Sequence, residues 1–151
     1  MNVPLTTAGE ASEMPGCITE RGIVLTLGGA LFVNGRAELH ATSTVLEHLV
    51  AVLAGYPDSD ITIEGHTDTL GSEGYNYNLS QRRADSMKAY LIAQGVVIPR
   101  ITALGKGGTR PVAANSTAAG RQRNSRVEVI VHAALARADV EPAIRGPATA
   151  S

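Results

Sequence analysis

The chain is expected to fold as an α/β sandwich, with two main helices on one face of a four-stranded mixed sheet. Three observations predict it. Short apolar or alternating runs, the period of strands, occur at residues 23–27, 61–65, 101–104 and 127–131. Two stretches between them carry apolar residues at helical spacing. The resulting order is β-α-β-α-β-loop-β, and right-handed crossovers place both helices on the same side of the sheet.

Each element has its own signal. Ile23-Val24-Leu25-Thr26-Leu27 is apolar with a β-branched start, and Gly28-Gly29 closes it. In the following loop Phe32, the only phenylalanine, is expected to anchor into the core. Thr44 and Glu47 stand at capping-box spacing ahead of Leu46, Leu49, Val50 and Leu53, and Gly55 and Pro57 stop that helix. Ile61-Thr62-Ile63-Glu64-Gly65 alternates as a half-buried strand. A loop then leads to a longer helix over 74–94, ended by Gly95. The third strand follows Pro99, a glycine-rich loop and an irregular stretch follow it, and Val127, Val129 and Val131 alternate in the last strand. Residues 21–132 are expected to form the folded domain. Residues 1–20 and 133–151, rich in small residues and without periodicity, are expected as a flexible leader and tail.

Composition narrows the function. Aromatics are 3% of the chain and Trp is absent, so the core must be aliphatic and stacking platforms for single-stranded nucleic acid are missing. Thirteen Lys plus Arg against fourteen Asp plus Glu give a net charge of −1, without the basic footprint of a nucleic-acid binder or a membrane-surface helix. The single cysteine, Cys17, can form neither an internal disulfide nor a cysteine metal cage. Met14-Pro15-Gly16-Cys17 faintly resembles a lipid-attachment site, but no apolar run or basic start precedes it, so an incidental tail cysteine is expected. No signal peptide or membrane span is visible. An export signal and any membrane part are expected to lie outside this stretch.

The informative segment runs from Gly65 to Arg83, GHTDTLGSEGYNYNLSQRR. Tyr75, Leu79, Arg83, Met87 and Leu91 follow one another at i, i+4 and share a helix face, while Arg82 points about 100° away into solvent. Four of the five suit a core; Arg83 does not. A guanidinium at the edge of an apolar face needs a partner, and its planar fork matches a carboxylate. Asp68 lies just past the second strand, beyond a strand's carboxyl end, where α/β folds bind ligands. One carboxylate and one guanidinium beside a cleft suit a zwitterion. They suit an internal salt bridge equally well, and spacing alone leaves the two level.

The same residues carry a resemblance. The stretch from Arg21 to Val131 resembles the OmpA C-terminal-like domain family, the peptidoglycan-associated domain. The match includes Gly35-Arg36-Ala37-Glu38-Leu39, EGHTD at 64–68, Gly71, Tyr75-Asn76, Leu79-Ser80, Arg82-Arg83-Ala84, Tyr90-Leu91 and Gly95-Val96. It continues through Arg100-Ile101, Gly105, Pro111-Val112, Asn115, Gly120-Arg121, Asn124 and Arg126-Val127-Glu128. The resemblance implies an OmpA-C-like β-α-β-α-β-β sandwich. It implies non-covalent binding of the peptidoglycan stem peptide through diaminopimelate, in the periplasm, as the cell-wall anchor of an outer-membrane or cell-envelope protein. By the same analogy Asp68 holds the diaminopimelate ammonium and Arg83 its carboxylate, with Thr67, Leu70, Gly71 and Asn76 lining the pocket. Two departures from the family pattern touch its rim: Val33 stands for an Asp, and Ser125 for the first Arg of Asn-Arg-Arg-Val.

Other chemistry is weaker. Glu64, His66 and Asp68 alternate at a strand end and suggest a metal-dependent cell-wall hydrolase, but no further His or Cys completes a shell, and His66 is expected to pack and hydrogen-bond there. Gly105-Lys106-Gly107-Gly108 lacks Walker spacing and reads as a tight connection. Ser80 has no nucleophile elbow and reads as a helix-surface hydroxyl. His40, His48 and His132 read as surface or edge residues, and Arg121 and Arg126 as ties between the last loop and the sheet. No activated nucleophile with its base is legible, so no enzyme activity and no cofactor is expected. A further alternative is a structural domain that lost ligand affinity through Val33 and Ser125.

Overall fold

A computed structural model describes residues 2–4, 15–19, 21–33, 35–40, 44–96 and 100–132. The expected tail, 133–151, lies outside them. Strands β1 (Asn2–Pro4), β2 (Pro15–Thr19) and β3 (Gly22–Gly28) come first, then a 3-10 turn (Gly29–Leu31) and helix α1 (Thr44–Ala54). Strand β4 (Asp60–His66), helix α2 (Glu73–Ala93), strand β5 (Ile101–Gly105), helix α3 (Ala118–Asn124) and strand β6 (Arg126–His132) complete the order.

The sheet runs β1-β2-β3-β6-β4-β5. It is mixed: β4 and β5 are parallel, and β6 lies antiparallel between β3 and β4. The four expected strands form one contiguous block. Two more strands than expected extend it, and both fall within residues 1–20: β2 pairs antiparallel with β3, and β1 with β2. The stretch expected to be irregular before β6 contains α3, capped by the Thr117 hydroxyl, which accepts from Gly120 N at 3.0 Å. Seven residues are too few to show an apolar stripe, so the cap was its only local signal.

One face of the sheet carries the aliphatic core. Ile23, Leu25, Leu27, Ile61, Ile63, Ile101, Val127, Val129 and Val131 meet Leu46, Leu49 and Leu53 of α1 and Ala84, Met87 and Leu91 of α2. Phe32 is buried among them as expected. Tyr75, read as part of the core stripe of α2, is instead 52% exposed in the first turn of the helix.

Two glycines facing each other across the parallel pair set how α2 sits. Gly65 and Gly105 are register partners. A Cβ on Gly65 would lie 2.1 Å from the Ser80 carbonyl oxygen, and one on Gly105 would lie 2.5 Å from Gln81 N. The helix backbone thus rests directly on the carboxyl ends of β4 and β5, an approach that a side chain would block. Ser80 and Gln81 fasten it: Ser80 Oγ accepts from Gly107 N at 2.9 Å, Gln81 Oε1 accepts from Gly105 N at 2.8 Å, and Gln81 Nε2 donates to Ala103 O at 3.1 Å. Ser80 is therefore buried, not the surface hydroxyl its sequence context suggested.

Candidate functional site

The loop from Thr67 to Ser72 leaves the carboxyl end of β4 and enters α2. Ser72 caps the helix, accepting from Tyr75 N at 3.1 Å. Gly71 sits at φ +85, a conformation that a residue with a Cβ adopts at a cost. Asn76 reaches back and donates to Leu70 O at 2.8 Å. Thr67 N donates to Gly107 O at 2.9 Å, and the Thr67 hydroxyl donates to Asp68 O at 2.8 Å. Gly108 lies so close beneath the loop that a Cβ there would stand 2.8 Å from Asp68 O. The loop is thus held from both sides. Thr67, Gly71 and Asn76 shape it, and Leu70, 60% exposed, is presented outward.

Asp68 Oδ1 accepts from Leu70 N at 2.9 Å, a small turn that fixes the carboxylate. Among the described residues no cation lies within ion-pair distance of it. Arg83, 6% exposed, is as deep in the fold as its apolar stripe demanded. Its Nε donates to Arg36 O at 2.9 Å, its Nη1 donates to Ser125 Oγ at a long 3.4 Å, and its guanidinium carbon stands 5.0 Å from the centroid of the Phe32 ring. Those two bonds engage two of the five N–H groups of a guanidinium. Burial pushes the Arg83 pKa down; the Tyr75 hydroxyl and the Asp68 carboxylate push it back up, and Arg82 adds to the fall. Asp68 is near enough to be felt electrostatically, yet no ion pair joins the two among the described residues. A cavity of about 310 Å³ opens beside Arg83, lined also by Phe32, Gly35, His40, Gln122 and Ser125.

Ser125 belongs to this cavity because α3, invisible in the periodicity, ends there. Val33 forms the base of the neighbouring turn, where its N donates to Glu38 O at 2.8 Å and its carbonyl accepts from Arg36 N at 2.8 Å. That turn presents the Arg36 carbonyl to Arg83, a contact without a sequence signal.

The other face of the sheet holds a charged cluster. Glu64, His66 and Glu128 place one ligand-capable atom each within 4.8 Å of one another. Asp68 is not in that group, so the sequence triad Glu64-His66-Asp68 does not converge. Both carboxylates are already matched by guanidinium groups: Arg21 lies 2.7 Å from Glu64 and 3.5 Å from Glu128, and Arg126 Nε donates to Glu128 at 2.8 Å. Two cations within the shell oppose a third, so the donor set fits an ion-pair network better than a metal. His66 Nε2 lies 3.2 Å from Glu64 Oε1. Burial and the Arg126 charge push the His66 pKa down against the pull of Glu128 and Glu64. Burial by itself raises the Glu64 pKa, but the hydrogen bond and charge of Arg21, with His66, hold it below the usual range. Arg126 also donates to Asn124 O and Arg110 O, and Arg121 to Asn115 O, tying the last loop down as expected.

Fold and site together define a small α/β sandwich that offers one carboxylate and one buried guanidinium beyond the carboxyl ends of its parallel strands. Residues 31–125 match the OmpA family, and the chain belongs to that family. It is 49% identical over 88 residues to outer membrane porin F of Pseudomonas fluorescens, covering 58% of this chain and 27% of that protein. It is 40% identical over 126 residues to the peptidoglycan-binding protein ArfA of Mycobacterium tuberculosis, covering 82% of this chain and 39% of that protein. The chain therefore spans well under half the length of these curated relatives. The structure of the cell wall anchor of the T6SS from Pseudomonas aeruginosa superposes with a TM-score of 0.66 at 33% identity, over 74% of this chain and 81% of that one. Among the described residues no helix is long and apolar enough to cross a membrane.

Proposed function

We propose that this domain binds peptidoglycan without covalent chemistry, gripping the diaminopimelate of the stem peptide, and so anchors an envelope protein to the cell wall from the periplasm. Asp68 takes the side-chain ammonium and Arg83 the adjacent carboxylate; Thr67, Leu70, Gly71 and Asn76 hold and border the loop. The observation that carries this is the state of Arg83: a buried guanidinium with donors to spare, opening on a cavity, with no carboxylate within ion-pair distance among the described residues. Leaving a buried charge unmatched costs several kcal/mol, on the order of 3–5, which a ligand carboxylate would offset. Family membership supports the reading, as does a relative named for binding peptidoglycan and a structural neighbour named a cell wall anchor.

Sedimentation with purified sacculi tests it. Wild type is expected to pellet with diaminopimelate-type sacculi and to stay in solution with lysine-type sacculi, whose third residue lacks the carboxylate. Asp68→Ala and Arg83→Ala are each expected to lose at least about thirtyfold in affinity, as when one partner of a desolvated charge pair is removed. Pelleting of both variants at wild-type levels would sink the proposal.

A further inference from the structure

Strand β5 is the last strand of the sheet, so one of its two sides has no neighbouring strand among the described residues. Backbone groups of alternate residues point to opposite sides of a strand within the sheet plane. Lys106 N donates to Gly65 O at the end of β4 at 2.9 Å, so Thr102 and Leu104 also turn their N–H and C=O groups toward β4. Ile101, Ala103 and Gly105 turn theirs to the outer side. Gln81 of α2 meets that side: its Oε1 accepts from Gly105 N at 2.8 Å, and its Nε2 donates to Ala103 O at 3.1 Å. We propose that the Gln81 carboxamide is a strand surrogate that closes the β5 edge to pairing with a second copy of this chain. The proposal stands apart from the peptidoglycan reading and does not depend on it.

The bond pattern is that of a parallel partner. In a parallel pair, a residue of the neighbouring strand donates its N–H to the carbonyl just before the residue it faces and accepts from the N–H just after it. Around Leu104 those two groups are Ala103 O and Gly105 N. The carboxamide has the donor and the acceptor of a peptide group, and it takes both. Nε2 also donates to Asp85 Oδ1 at 3.1 Å, one helical turn further on. A carboxylate only accepts, so Asp85 holds the nitrogen end of the amide toward Ala103 and leaves its oxygen for Gly105. So short a side chain reaches the edge because Gly65 and Gly105 let α2 lie against the strand ends.

Without that cap, β5 suits a copy of itself. Ile101-Thr102-Ala103-Leu104-Gly105 contains no charged residue, and charges on an edge strand are a common means of repelling an added strand. Leu104, large and apolar, is 39% exposed, and Thr102 on the same face is exposed too. Two such edges meeting antiparallel about a two-fold axis at Ala103 use the same five residues on each side, with Thr102 of one copy opposite Leu104 of the other. The far edge of the sheet is blunted by different means: β1 is three residues long and ends on Pro4, which has no N–H to donate. Each edge thus carries its own device against strand addition.

Sedimentation equilibrium and amide hydrogen exchange on the full chain test this. Gln81→Ala is expected to self-associate about tenfold more tightly than wild type, the worth of one or two hydrogen bonds freed for pairing. The Ala103 N–H points outward and is not engaged by Gln81. Its exchange is expected to slow in Gln81→Ala as concentration rises and to show no such dependence in wild type, a response that a loosened helix contact alone would not produce. Adding Thr102→Lys, which puts a charge on the exposed face of the edge, is expected to return the variant to wild-type association. Melting temperature checks the fold. If Gln81→Ala does not fold, Gln81→Glu carries the same test at pH 8, since it keeps an acceptor for Gly105 N but offers Ala103 O no donor. A folded Gln81 variant that associates no more than wild type overturns the proposal. Association that survives Thr102→Lys, or that leaves the Ala103 amide unprotected, overturns it likewise by placing the contact elsewhere.

Discussion

At the scale of single residues, Arg83 carries the most consequence. Its position on an otherwise apolar stripe follows from i, i+4 spacing, and the fold honours that spacing by burying it. Spacing could not say who its partner is, because a partner across the fold has no periodic signature. The Arg36 carbonyl comes from a turn 47 residues away in sequence, and Ser125 from 42 residues away. Arg83→Lys separates charge from shape. It keeps the cation but loses the planar fork and the Nε bond, so affinity for sacculi is expected to fall by roughly tenfold or more, short of the loss in Arg83→Ala. A lysine variant that pellets like wild type would show that a point charge suffices. Asn124 is a second residue whose weight only contacts reveal. Its side chain accepts from Val112 N and Ala113 N and donates to Ala113 O and Asn115 Oδ1 while fully buried. Asn124→Ala is expected to destabilise the domain by about 1–3 kcal/mol in urea unfolding, since several backbone groups lose a partner they cannot replace with water.

At the scale of elements, the junction of α2 with the parallel pair decides where the site stands. The helix was legible from its length and its stops, and the strands from alternation. The contact between them was not, because a glycine reads as a breaker or a turn when its neighbour is unknown. Here Gly65 and Gly105 are the surface on which Ser80 and Gln81 rest. Gly65→Ala is expected to cost at least about 1–3 kcal/mol of stability, because the new methyl meets backbone that cannot swing aside. The same change should shift α2 relative to the Asp68 loop and weaken sacculus binding. Full stability in a urea titration of Gly65→Ala would contradict the close approach.

At the scale of the whole molecule, the sheet has two unlike faces. The helix side is aliphatic; the other carries Arg21, Glu64, His66, Arg126 and Glu128, which tie β3, β4 and β6 together across the strands. Both titrating shifts in this cluster act in the same direction. His66 is held neutral in the fold, so below about pH 6.5 the unfolded chain binds a proton that the folded chain resists. Stability is therefore full at neutral pH and falls as pH drops below that point toward the lower folded value. Glu64 stays ionised in the fold to lower pH than in the unfolded chain, so its contribution is present above about 4.5 and disappears as pH falls through its folded value. Melting temperature is expected to decline steadily from pH 7 into acid, and His66→Gln to flatten the upper part of that decline. A melting temperature independent of pH between 7 and 4 would rule out the network as a stabilising element.

Taken by itself, the sequence determined the class of fold, the four central strands, both main helices, the loop that carries Asp68 and the odd place of Arg83. All of these are written in local periodicity, caps and breakers, whose signals need no knowledge of distant residues. It did not determine the short α3, the two added strands, the burial of Ser80 or the exposure of Tyr75. Nor did it separate His66 from Asp68, which alternation had put together and the fold assigns to different surroundings. Only the tertiary structure decided those, because each depends on which remote backbone or charge arrives beside the residue, and pairing across tens of residues leaves no trace in the spacing of either partner.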